Sequence, residues 1–144
     1  MPKKYKILVA GKFEKTANPL KVINPYNGSI IATTYLAGEK ELKDAVKAAQ
    51  KAFSILKDYP SYKKADIIAK VVSGLKNRSE ELAKIISLEA GKPITDSRIE
   101  VKRAINTFTI AREESKRLSG EVLPLDIMEG WEKRIGIVKR FPIG

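Results

Sequence analysis

The middle of the chain carries apolar residues at the spacing of an α-helix with little interruption. Leu42, Val46, Ala49 and Phe53 fall on one face of residues 39–57, which is the 3.6-residue stripe of an amphipathic helix. Three further stripes follow this one. The predicted helices cover residues 39–57, 62–76, 77–90 and 95–120.

Capping signals predict where these helices begin and end. Gly38 is placed at the N-terminal cap of the first helix, with Glu39 and Glu41 in its first turn. The predicted side-chain caps of the next three helices are Ser61, Asn77 and Thr95. Gly91 is predicted to end the third helix in a left-handed conformation, and Gly120 to end the fourth.

Short strand-like runs flank the helices on both sides. Residues 5–9, 20–23 and 29–36 are rich in β-branched and aromatic side chains, and Asn27-Gly28 predicts a two-residue type I′ turn. Strand character returns at residues 121–125 and 131–141. The pattern therefore predicts a mixed α/β chain in which strands are followed by helices and then by strands.

The composition excludes several kinds of chemistry. The 144 residues include no cysteine and no histidine, so thiol nucleophiles, disulfides, Cys/His zinc sites and histidine acid–base catalysis are excluded within the chain. A carboxylate-only metal site or a lysine-based site stays open. The net charge of +11 is spread along the sequence, which favours a basic solvated surface over a nucleic-acid site.

Hydropathy favours a cytoplasmic protein. No apolar run approaches the roughly 18 residues of a membrane helix, and the run after the first lysines is too short for a signal-peptide core. A high content of lysine and glutamate without cysteine or histidine is typical of thermophile proteins.

Five short motifs occur in order along nearly the whole chain. They are INPYNG at residues 23–28, LKDAVKAAQKAF at 42–53, EAGKP at 89–93, EV at 100–101 and RFPIG at 140–144. Each is ordinary turn or helix chemistry when taken alone. In this order and at this spacing they resemble the N-terminal portion of the NAD(P)-dependent aldehyde dehydrogenase superfamily.

The resemblance implies an α/β fold of the aldehyde dehydrogenase kind, present as an N-terminal fragment. The expected segments are residues 1–37 (hairpin strands), 38–120 (four helices) and 121–144 (a β-arm). Family members oxidise aldehydes to carboxylic acids with NAD or NADP. A cysteine thiolate forms a thiohemiacetal, an asparagine amide and a backbone N–H stabilise the oxyanion, and a glutamate activates water.

In the family those catalytic groups lie beyond the position that matches Gly144. The resemblance therefore implies no catalytic and no cofactor-binding residue in this chain. The chain also has no Gly-x-Gly-x-x-Gly dinucleotide loop. We expect it to bind no NAD or NADP and to be inactive on its own.

Two candidate sites follow from the resemblance. The family's long helix lines the substrate entrance, and Arg103 falls at a lining position on the face near Val101 and Ile105. Arginine can hold a phosphate or carboxylate through two hydrogen bonds, and the alternative is a solvated helix arginine. Some members bind a structural monovalent cation, which here would use the backbone of Ile23 and the side chain of Glu89. The alternative for Glu89 is a surface carboxylate.

The segment from Glu121 to Phe141 matches the family's bridging β-arm. We expect homo-oligomer formation through this arm, or its contact with a missing remainder of the enzyme, and no membrane partner. The alternative is a strand pair within one complete chain. Two other functions stay open, namely a self-associating structural protein derived from this scaffold and a basic nucleic-acid-binding domain. The 7% aromatic residues are not interleaved with the basic ones, which disfavours the latter.

Overall fold

The computed structural model describes residues 2–144 as a mixed α/β chain, which confirms the predicted fold class. The strands are β1 (Lys3–Lys4), β2 (Ile7–Val9), β3 (Lys12–Glu14), β4 (Pro19–Ile23), β5 (Ile30–Tyr35), β6 (Glu121–Pro124) and β7 (Ile135–Val138). The helices are α1 (Glu39–Leu56), α2 (Ser61–Asn77), α3 (Ser79–Ala90) and α4 (Ile94–Glu114). Within the described residues, no helix has both the length and the apolar character needed to cross a membrane.

Two small sheets precede the helices. β1 pairs in parallel with β5, which pairs antiparallel with β4, so the strand order is β1-β5-β4. β2 and β3 form a separate antiparallel hairpin, against which α1 packs. The turn of this hairpin, Ala10-Gly11, has φ values of +50° and +81°. A type I′ turn requires this pair of positive φ angles.

The predicted type I′ turn at Asn27-Gly28 is wrong. Only Gly28 has a positive φ there, at +71°. The N–H of Asn24 donates to the Ser29 carbonyl at 2.9 Å, so four residues, and not two, lie between this hydrogen-bonded pair. The physical reason is the buried side chain of Asn24, whose Oδ1 accepts the N–H of Tyr26 at 2.9 Å and starts the turn earlier.

Two of the predicted helix ends are confirmed. Gly38 is the N-terminal cap of α1, and its N–H donates to the Glu41 carboxylate at 2.7 Å. This hydrogen bond holds the pKa of Glu41 below its usual range. Gly91 ends α3 with a φ of +65°, the left-handed conformation that glycine adopts most readily.

Three predicted side-chain caps are wrong. Ser61 and Asn77 are the first and last residues of α2, and Thr95 lies within the first turn of α4. The residues at the cap positions are Pro60, Arg78 and Pro93. Both prolines have an extended ψ, which places them outside the helix, so each helix begins at the next residue without a capping side chain.

The core lies where α2 and α3 pack on α4, and it is built from small side chains. Ala83 and Ser97 are fully buried, and Ala65 and Val101 are each 4% exposed. The hydroxyl of Ser97 donates to the Pro93 carbonyl at 3.2 Å, so this buried polar group is satisfied. Small residues at these positions allow the helix axes to approach closely.

The last two strands form a hairpin with its own two-stranded antiparallel sheet. α4 ends at Glu114 and not at the predicted Gly120, and β7 is shorter than predicted because Trp131 lies in the preceding turn. Gly120 lies at the base of this hairpin. A Cβ atom there would lie 1.9 Å from the Val138 carbonyl oxygen, so only glycine fits.

Candidate functional site

The loop between β4 and β5 lies against the C-terminal end of α3. A Cβ built on Gly91 would lie 3.0 Å from Cγ of Pro25, so a larger residue there would require Pro25 to move. The Ser87 hydroxyl donates to the Lys92 carbonyl at 2.7 Å, and the Lys92 ammonium pairs with Glu100 of α4. The INPYNG and EAGKP motifs therefore form one junction, which is tied to α4 as well.

The two predicted cation ligands are near this junction in sequence. Ile23 ends β4, Glu89 lies in the last turn of α3, and both are exposed. Glu89 lines a cleft of about 500 Å³ together with Lys3, Glu81 and residues of β5, and Ile23 is not among the lining residues. Residues 2–144 contain no cluster of three or more acidic side chains suited to a metal ion. The monovalent-cation site at Ile23 and Glu89 stays a prediction.

Arg103 lies on the outer face of α4. Its side chain is exposed, whereas Val101 is part of the core. Residues two apart on an α-helix differ in direction by roughly 200°, so the predicted face, shared with Val101 and Ile105, is wrong. Arg103 instead shares an exposed face with Ile99 and Ile110, which are 58% and 54% exposed. Within residues 2–144 it forms no ion pair.

An ion pair joins α3 to α4 close to the core. Arg98 donates two hydrogen bonds to the Glu80 carboxylate, at 3.0 Å and 2.8 Å. The pair holds the pKa of Glu80 below its usual range and raises the pKa of Arg98. No sequence motif predicts this contact, because the two residues are charged surface positions on different helices.

The β6–β7 hairpin exposes apolar side chains on its strands. Val122 and Ile137, which face each other in the register, are 69% and 76% exposed, and Ile135 is 67% exposed. Within residues 2–144 neither strand pairs with any strand other than its hairpin partner. The hairpin therefore presents two unpaired edges and an uncovered apolar surface.

Comparison with known proteins agrees with the order of the motifs and with the fold. The sequence profile of the aldehyde dehydrogenase family matches residues 13–144. The chain belongs to the aldehyde dehydrogenase family. The family predicted from the motifs is confirmed, and the junction of the INPYNG and EAGKP motifs is part of an aldehyde dehydrogenase scaffold.

Individual relatives support this assignment over almost the whole chain. The chain is 34% identical over 142 residues to 3-sulfolactaldehyde dehydrogenase from Priestia aryabhattai, with 99% of the chain and 29% of that protein covered. It superimposes on aldehyde dehydrogenase 21 from Physcomitrella patens, solved in complex with the reaction product succinate. The TM-score is 0.93 and the identity 42%, over 99% of the chain and 30% of that structure.

A third relative carries a cofactor. NADP-dependent glyceraldehyde-3-phosphate dehydrogenase from Bacillus halodurans, complexed with NADP, gives a TM-score of 0.90 at 27% identity, over 98% of the chain and 30% of that structure. Related aldehyde dehydrogenase structures thus bind NAD or NADP. The chain spans about 30% of the length of these relatives.

Proposed function

We propose that this chain supplies the helical framework of an NAD(P)-dependent aldehyde dehydrogenase and contains no catalytic group of its own. The observation that supports this proposal is the complete absence of cysteine from the 144 residues. The family resemblance implies a cysteine thiolate as the nucleophile, and it also implies that the asparagine and the glutamate lie beyond the position that matches Gly144. Aldehyde oxidation then requires residues that this chain does not contain.

The proposal is tested by assaying the purified chain with NAD and with NADP. The aldehydes are lactaldehyde, 3-sulfolactaldehyde, glyceraldehyde-3-phosphate and the semialdehyde that gives succinate on oxidation. We expect no increase in absorbance at the reduced-nicotinamide band with either cofactor. The full-length relative from Priestia aryabhattai is the positive control. Sustained turnover by the chain alone would overturn the proposal.

We also propose that the whole enzyme acts on small aldehydes that carry an anionic group. Arg103 supports this, because it is exposed on α4, forms no ion pair within residues 2–144 and lies beside the exposed Ile99. A guanidinium holds a carboxylate, sulfonate or phosphate through two parallel hydrogen bonds. The names of the three relatives above point to such compounds, namely sulfolactaldehyde, glyceraldehyde-3-phosphate and the product succinate.

We propose further that the β6–β7 hairpin is a contact between copies of the chain. The hairpin has unpaired edges, and Val122, Ile135 and Ile137 leave most of their surface exposed. A two-stranded sheet is only marginally stable in water unless it is covered, and an unpaired edge readily adds a further strand. Self-association through this hairpin would cover the apolar side chains and pair an open strand edge.

A further inference from the structure

A cleft of about 810 Å³ opens between the α1–α2 turn, the end of α4 and the residues after β7. Its charged lining residues are Lys57, Asp58, Lys64, Lys116, Lys139 and Arg140. Five of these six are basic, and they come from three separate segments of the sequence. The fold therefore brings together basic residues that are far apart in the sequence.

Two of the five cations have a role in the fold itself. Lys57 is the C-terminal cap residue of α1, where a positive charge offsets the negative end of the helix dipole. Lys116 pairs with Glu113 at 2.8 Å. These two lysines need no ligand to explain their position.

The other three cations have no such partner. Lys64, Lys139 and Arg140 form no ion pair within residues 2–144, and Asp58 is the single carboxylate among the residues that line the cleft. Lys64 is also half-buried, and a partly desolvated ammonium is stabilised by a counter-charge. The ammonium of Lys139 lies 5.2 Å above the Phe141 ring, which keeps it at the cleft wall.

The chemistry of the lining indicates the class of ligand. Lysine provides a point charge, arginine provides a fork of donors, and Tyr59 and Ser61 add hydroxyl groups at the same wall. Together these are donors suited to phosphoryl oxygens. The volume is in the range of pockets that hold small metabolites, roughly 300–1,000 Å³. We propose that this cleft binds a small molecule that bears phosphoryl groups, at a site separate from Arg103, which does not line it.

The test must distinguish specific binding in the cleft from the nonspecific attraction of anions to a protein with a net charge of +11. The probe is pyrophosphate, titrated into the 144-residue chain by calorimetry at near-physiological salt. The cleft variant is Lys64→Gln with Arg140→Gln. The matched control is Lys70→Gln with Lys133→Gln, two exposed lysines outside the cleft. Both double variants lower the net charge by two, and circular dichroism verifies that each is folded.

We expect the cleft variant to weaken pyrophosphate binding by about tenfold or more, the effect of losing a charge-assisted hydrogen bond, and the control to bind as the wild type does. Equal weakening in both variants, or no binding to the wild type, overturns the proposal. Separate titrations with inorganic phosphate and with NADP show whether the cleft prefers a free phosphate or the pyrophosphate of a nucleotide. A titration with duplex DNA completes the set. If DNA binds more tightly than pyrophosphate and the cleft variant loses this binding, the cleft is a nucleic-acid site and the proposal is overturned.

Discussion

Gly91 and Gly74 show that the same residue type has opposite roles at two positions of the helical framework. Gly91 has a positive φ, and a Cβ added to it would lie 3.0 Å from Pro25, whereas Gly74 lies inside α2 with no atom within 4 Å of an added Cβ. We expect Gly91→Ala to lower the free energy of unfolding by about 1–2 kcal/mol. We expect Gly74→Ala to raise it by roughly 0.5–1 kcal/mol. Urea unfolding followed by circular dichroism measures both, and equal effects of the two substitutions would contradict the assigned role of Gly91.

A second prediction concerns the Glu80 carboxylate, which Arg98 holds in its ionised form. Because the folded pKa of Glu80 is depressed, its contribution to stability is present above the unfolded pKa and is lost as pH falls through the folded pKa. We expect Glu80→Gln to lower the melting temperature at neutral pH and to converge with the wild type in acid. The measurement is thermal unfolding across a pH series.

The control for that series is Glu129→Gln, which removes an exposed carboxylate that forms no ion pair within residues 2–144. This substitution should leave the pH dependence almost unchanged, because exposed single charges contribute little. If the two variants respond to pH in the same way, the Arg98 contact is not the cause.

At the level of the elements, four helices follow directly from the sequence, because a stripe of period 3.6 extends over many residues and averages out local exceptions. The helix ends are decided by single residues and are less predictable. Ser61 and Thr95 are residue types that predict side-chain caps, but the cap positions of α2 and α4 hold Pro60 and Pro93. The type I′ turn at Ala10-Gly11 could not be predicted from the sequence either, because it lacks the Asn-Gly pair that usually marks such a turn.

The β6–β7 hairpin gives the prediction that belongs to this scale. We expect the purified chain to self-associate and Ile137→Lys to shift it towards the monomer, because a charge on this strand face opposes its burial in a contact. Ile127→Lys is the matched control, since Ile127 is 82% exposed but lies in the turn outside both strands. Multi-angle light scattering at several concentrations measures the mass. An unchanged mass distribution for Ile137→Lys would rule out the strand contact.

At the scale of the whole molecule, the sites were less predictable from the sequence than the family was. Five ordered motifs indicate an aldehyde dehydrogenase, but they do not indicate on which face of α4 Arg103 lies. Pro25 and Gly91 lie close together although they are remote in sequence, and so do the cations that line the cleft of about 810 Å³. Such contacts depend on how the helices pack, and no periodicity within one segment encodes them.

The substrate proposal is tested in an active enzyme that contains this framework. In a chimera, residues 1–144 replace the matching part of aldehyde dehydrogenase 21, which is 42% identical over this region. We expect Arg103→Ala to raise KM for anionic aldehydes by about tenfold or more, the effect of losing a charged hydrogen bond. Activity on neutral aldehydes should change little, and Arg103→Lys should restore part of the loss.

The neighbouring Lys102→Ala is the control for this chimera, because it removes an exposed positive charge from a different face of α4. It should affect anionic and neutral aldehydes alike. A loss for Arg103→Ala that is equal for both classes of aldehyde would mean that the guanidinium does not select the anionic group.

The parallel pairing of β1 with β5 affects the order in which the chain can fold during synthesis. Lys3 pairs with Ala32 and Lys4 with Thr33, so β1 has no hydrogen-bonding partner until the ribosome has made the whole of the intervening hairpin and loop. The backbone hydrogen bonds of α1 to α4 lie within each helix, so the helices have no such delay. The backbone N–H and C=O groups of nascent β1 therefore stay exposed to water. Its amides become protected from hydrogen exchange only after β5 has emerged from the ribosome.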